Sequence, residues 1–162
     1  MSDLVNRAVA NVLRTAMFNA LPDDIQQLFP QVNDPLLGEG PNIRVGHISE
    51  FGMNPGFPLV SVFSDGALEG LTARKWRHLT VNIDHWTSAA EAGNVDARGI
   101  IRTLYEFTSE FLQDRNFSGG GLVIQRCYEI RASDIMFQAP EKLYHIANAY
   151  RVEAISNSGA WY

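Results

Sequence analysis

The residues of this chain best equipped for chemistry are four histidines and one cysteine, and their spacing argues against joint action. Among His47, His78, His85 and His145, no two lie four apart, the spacing that sets two imidazoles on one helix face. Cys127 alone cannot begin a zinc knuckle. His78 and His85 stand seven apart in a run that reads as one strand, so they point to opposite faces. His78 and Asp84 share a face six residues apart, roughly 20 Å at strand rise, too far for an acid–base pair. Satisfied histidines and a small, partly buried strand cysteine are the simpler readings. One alternative stays open. A small enzyme or ligand-binding domain would need folding to bring distant groups such as His78, Asp84 and Arg126 into one concave pocket.

Other motifs point the same way. Gly119-Gly120-Gly121 follows an expected helix and precedes an expected strand, the reverse of a phosphate cradle, so it reads as a helix stop and turn. No serine sits in a G-x-S-x-G elbow. The acids are scattered: Asp23 and Asp24 flank a helix, Glu106 and Glu110 lie on a helix surface, and Asp134 falls between strands. The sequence therefore assigns no catalytic residue, no metal ligand and no cofactor.

The elements that would position any site are more legible. Residues 3–20 read as a helix whose apolar stripe is Val5, Val9, Val12, Leu13, Ala16, Met17 and Ala20, with Arg7, Arg14 and Asn19 outside it and Ser2 as N-cap. Pro22 closes it, and 24–29 allow a short second turn. Residues 30–41 read as a Pro/Gly-punctuated loop and 42–49 as a strand. The run 59–63 reads as a strand buried on both faces. Residues 76–86 form a longer strand with Leu79, Val81 and Ile83 inward and His78, Thr80, Asn82 and Asp84 outward. Small residues at 88–94 read as a loop. Residues 96–113 form a second helix packing through Ile100, Ile101, Leu104, Phe107, Thr108 and Phe111. Two strands end the order, with Leu122, Ile124, Tyr128 and Ile130 inward in the first. In the second, Tyr144, Ile146, Tyr150, Val152 and Ala154 face inward, and His145, Arg151 and Glu153 lie on the wet face. The expected class is α+β: a mixed or mostly antiparallel sheet of about five strands with two main helices against it.

The chain is long enough to bury a core without staples, so residues 1–155 read as one domain with a projecting loop at 64–75, and 156–162 as a tail. The formal net charge of −5 gives no push towards nucleic acid. A lone thiol does not suggest an oxidising compartment, and no apolar run reaches the length of a membrane span or a signal segment. A cytoplasmic site of synthesis is expected.

What remains is surface that wants a partner. The 64–75 loop carries Leu68, Leu71, Arg74 and Lys75 beside Trp76, and the tail ends in Trp161-Tyr162. Apolar and aromatic side chains on tethers are typical interface anchors. The competing reading folds both segments back onto their own domain.

Four segments together resemble the tail terminator (tail completion) proteins of long-tailed bacteriophages: 57–63 (FPLVSVF), 76–86 (WRHLTVNIDHW), 134–137 (DIMF) and 144–155 (YHIANAYRVEAI). The likeness spans most of residues 3–155. It implies an α/β protomer, six of which form a ring on the head-proximal end of the tail tube. The ring would stop tube polymerisation and offer a surface to a neck or head-completion protein. DNA would pass transiently through the lumen, with no enzymatic step, no cofactor and no membrane. An acidic balance suits a conduit better than a grip on phosphates. A neck or head–tail joining protein is the neighbouring alternative.

Overall fold

The computed structural model describes residues 2–64, 69–70, 76–89, 96–119, 122–138 and 141–156. Its first helix is continuous but irregular: α1 (Ser2–Val12), a π turn (Leu13–Met17) and α2 (Phe18–Ala20). Val5, Val9, Leu13 and Met17 are its buried apolar positions four apart. A spacing of four drifts about 40° per step on a regular α-helix, and the wider π turn absorbs that drift. The same shift corrects the expected stripe: Ala16 and Ala20 are exposed and Arg14 is buried. The helix begins at Ser2, and Asp3 in its first turn suits the positive helix end. After Pro22 comes α3 (Asp23–Gln26).

Residues 30–41 are not a plain loop. They form a hairpin of β1 (Gln31–Asp34) and β2 (Gly38–Pro41), Gln31 opposite Pro41 and Asp34 opposite Gly38. Buried Asp34 holds the turn, accepting from the Leu36 and Leu37 amides at 2.8 and 3.2 Å. Arg14 fastens the hairpin to the helix, donating from Nε to Ile43 O (2.8 Å) and from Nη1 to Gly38 O (2.9 Å). A Cβ on Gly40 would stand 2.7 Å from that Nη1, so a side chain there would push the guanidinium aside.

The strand expected at 42–49 shortens to β3 (Ile43–Val45). Gly46 leaves the strand at φ +130, and His47 caps a 3₁₀ turn, Ile48–Glu50, by accepting from the Ser49 amide. The following Gly/Pro bend is pinned by buried Asn42, whose Nδ2 lies within 3.1 Å of the carbonyls of Pro55, Gly56 and Pro58.

Next come β4 (Leu59–Phe63), β5 (Glu69–Gly70), β6 (Trp76–Ser88), α4 (Ala97–Leu112), β7 (Phe117–Gly119), β8 (Leu122–Ala132), β9 (Met136–Gln138) and β10 (Leu143–Ser156). The main sheet runs β3-β4-β6-β10-β8-β7, with β5 beside β6 and β9 beside β10. It is larger than the five strands expected, because short edge segments carry too few residues to show a period. Only the β3–β4 pairing is parallel among the described strands. β4 is buried along Leu59 to Val62, as its nearly continuous apolar run suggested.

α4 matches its expected face and extent. The Asp96 side chain accepts from the Arg98 and Gly99 amides, and Ile100, Ile101, Leu104 and Thr108 are buried. The helix stops before the glycines: Gln113 turns extended and Asp114 takes φ 55. Gly119 belongs to β7, opposite Leu122, and so is not the helix stop; Gly120 and Gly121 lie outside the described residues.

The core lies on one face of the sheet. α1, α2 and α4 cover Val60, Val62, Leu79, Val81, Ile83, Leu122, Ile124, Cys127, Tyr150, Val152 and Ala154. In β8 the alternation breaks twice. Ile124 pairs Ala154 but Arg126 pairs Glu153, and Glu129 pairs Tyr150 but Arg131 pairs Ala149. Gln125 and Ile130 are the extra residues of two bulges. The phase flip buries Cys127, turns Tyr128 to the opposite face and leaves Ile130 46% exposed, correcting the inward assignment of both.

Candidate functional surface

The sequence-derived anchors fall mostly where no structure is described. Leu68, Leu71, Arg74, Lys75, Trp161 and Tyr162 lie outside the described residues. Trp76 opens β6, its backbone opposite Ile155.

The triad His78, Asp84 and Arg126 is not brought together. Cross-strand register orders the sheet face away from the helices into rows. His78, Glu153 and Arg126 form one row, and Thr80, Arg151 and Tyr128 the next. Asn82, Ala149 and Arg131 follow, then Asp84 with Ala147, then Trp86, His145 and Met136. Asp84 is three rows from His78, roughly 20 Å along the strand. It meets His145 instead, Oδ2 to Nε2 at 3.5 Å, and the imidazole stacks on the Trp86 indole at 3.8 Å between centroids. His145, Asp84 and Asn82 are buried here, not wet as their alternation suggested. The large flat rings of Trp86 and His145 cover one another, which period-two reasoning does not see.

The other histidines also serve structure. His47 caps its turn and meets the Phe63 ring edge-on at 5.0 Å. His85 is wholly buried under α4, Nε2 2.9 Å from Thr108 Oγ1, and burial pushes its pKa down to about 4. Burial, then the nearby Asp114 charge, pushes the Cys127 thiol up to about 12, which leaves it protonated and unreactive. Tyr105 donates to Glu129 at 2.9 and 3.0 Å, and its phenol is pushed up to about 12 by burial and then by that bond. Tyr105 borders an open groove of about 590 Å³ with Arg98, Arg102, Asp134 and Ile135. The protonated phenol and the two helix-surface arginines give the groove hydrogen-bond donors. No cluster of three or more metal-ligating side chains occurs among the described residues, and no described helix is long and apolar enough to cross a membrane.

The described surface feature with the clearest chemistry is the sheet face without helices. Arg126, Arg151 and Arg131 occupy three successive rows. Arg126 lies over the Tyr128 ring at 4.6 Å, Arg131 donates to Asn82 Oδ1 at 3.1 Å, and Arg151 sits against the His78 ring and 3.5 Å from Thr80 Oγ1. Sequence reasoning placed only Arg151 on this face with its neighbours. Period two from Leu122 turned Arg126 inward, and the Gln125 bulge that brings it to this face leaves no mark in residue types.

No protein-family model matches the chain, and no curated protein matches its sequence. A solved structure described as "Virion of native gene transfer agent (GTA) particle" contains a chain of similar fold. The TM-score is 0.56 at 13% identity, covering 96% of this chain and 97% of that one. At that identity the likeness is one of fold.

Proposed function

We propose that this protein is a structural virion component: a ring-forming tail terminator that caps the head-proximal end of a phage tail tube. One observation carries the reading. The fold overlaps almost end to end, in both directions, with a chain from a gene transfer agent virion. The four segments that resemble tail terminator proteins include most of β4, β6 and β10, the same sheet.

Copies of the chain, six in the proposed ring, join through unlike surfaces. Such contacts close into a ring if the rotation per copy is right and otherwise grow a filament. β3 and β7 end the main sheet. The outer edge of β3 is capped by Arg14 on Ile43 O and by Asp34 on the Val45 amide, which leaves β7 as the end that suits a neighbour's strand. The segment 64–75, with Leu68, Leu71, Arg74, Lys75 and Trp76, reaches the tube or a neighbour, and Trp161 and Tyr162 add a second anchor. The ring halts tube growth, presents its far side to a neck protein and lets DNA pass. No step in this role calls for a reacting group or a cofactor.

Deleting Leu68 to Ala73 is expected to leave a folded protein that no longer caps tubes, giving tails of uncontrolled length by electron microscopy. Tails of normal length would overturn the assignment of that loop. Binding to purified portal rather than to tube would move the protein to the neck or head–tail joint.

A further inference from the structure

We propose that the arginine face of the sheet is a docking surface for the acidic N-terminal elements of a second copy of this chain. The face carries Arg126, Arg131 and Arg151 in adjacent rows, with His78 beside them. Two acidic residues share the outermost of those rows: Glu153, set between His78 and Arg126, and Glu69 of β5, opposite His78 on its other side; the rows of Arg151 and Arg131 hold none among the described residues. Arg126 and Arg131 are exposed. Both main helices pack on the opposite face, so the chain covers this surface with neither.

The same chain supplies the complementary charge. Asp23 and Asp24 open α3 and Glu39 lies on β2, all exposed, and none forms an ion pair with a described residue. α3 packs into the helix-side core through Ile25, and Arg14 ties the β1–β2 hairpin to the first helix. These acids therefore belong to the helix side, away from the arginine face. One copy's arginine face and the next copy's acids make a contact between unlike surfaces, the kind that generates rings. Charge complementarity of this sort steers encounter and sets register, and salt weakens it. A nucleic acid is the less suited occupant, because the whole chain is acidic and Glu153 and Glu69 stand in the row of Arg126.

The inference rests on the ring reading only in requiring that copies join one another. Its test is charge exchange with purified full-length protein, without tubes. The double variants Arg126→Glu/Arg131→Glu and Asp23→Lys/Asp24→Lys are each sedimented alone and as an equal mixture, at low and high salt. Circular dichroism and an unreactive Cys127 confirm folding. Wild-type protein is expected to associate at low salt and to weaken at high salt. Each variant alone should associate at least about tenfold more weakly, and the mixture should recover, because each altered surface then meets its opposite. A mixture no stronger than its parts overturns the proposal, as does a wild-type protein that stays monomeric at low salt. Binding of duplex DNA lost in the arginine variant, with self-association unchanged, assigns the face to a polyanion and also overturns it. Recovery without tube capping would count against the tail-terminator reading alone, and capping by the arginine variant against this surface alone.

Discussion

His85 carries the clearest energetic consequence of a single side chain. It lies on the core face of β6, hydrogen-bonded to Thr108 and edge-on to Tyr105 at a centroid distance of 6.4 Å. Burial depresses its pKa to about 4, partly offset by the Asp84 charge and the Ile146 backbone, with His145 lowering it slightly further. The unfolded chain binds that proton near pH 6.5, whereas the native state does not until about pH 4. The stability from keeping His85 neutral is therefore complete above about pH 6.5 and is lost as pH falls towards 4. Between pH 7 and 4.5 the wild type should lose about 2 kcal/mol more than His85→Gln, measured by urea unfolding. Equal losses would mean that the imidazole already titrates normally in the folded protein. The arginines of the sheet face act at the same scale but on association, and Arg126 and Arg131 are exposed enough to be reversed without opening the core.

At the scale of elements, β8 decides which side chains reach which face. Its residues alternate well enough to announce a strand, but they do not say where an extra residue sits. Gln125 has no partner on β10, while Ile124 and Arg126 keep theirs at Ala154 and Glu153. Deleting Gln125 should therefore regularise the ladder without moving Cys127 off the core face. The expected stability change is under about 2 kcal/mol, and the Cys127 thiol should stay inert to a thiol reagent in native buffer. A reactive thiol would show that the bulge, not the ladder, holds the register. The first helix makes a parallel point. Its four-residue spacing of Val5, Val9, Leu13 and Met17 was visible, but the π turn that accommodates it, and so buries Arg14, was not.

For the whole molecule, stability should concentrate where the sheet is longest and best covered. β6 and β10 pair without interruption from Leu143 opposite Ser88 to Ile155 opposite Trp76, under the main helices. Native-state hydrogen exchange should be slowest at Val81, Tyr150 and Val152, approaching the global unfolding limit, and fast in β9, whose three residues are exposed. Slowest exchange in the β1–β2 hairpin would instead place the cooperative unit outside the main sheet. A rigid sheet with one face packed and the other polar is also what a ring subunit needs, since its contacts must hold one rotation per copy.

The sequence by itself determined the class of the fold, the helix at 97–112, the central strands and their inward residues, because periodicity reports directly which side of an element meets water. It also left the histidines, Cys127 and the glycine run without the spacing that shared chemistry demands. Only the tertiary structure decided the hairpin at 31–41, the two bulges of β8, the burial of Arg14 and the pairing of Asp84 with His145 under Trp86. These depend on which neighbour stands beside a residue after folding. The arginine face is of that kind: its members come from β8 and β10, and long-range register alone sets them side by side.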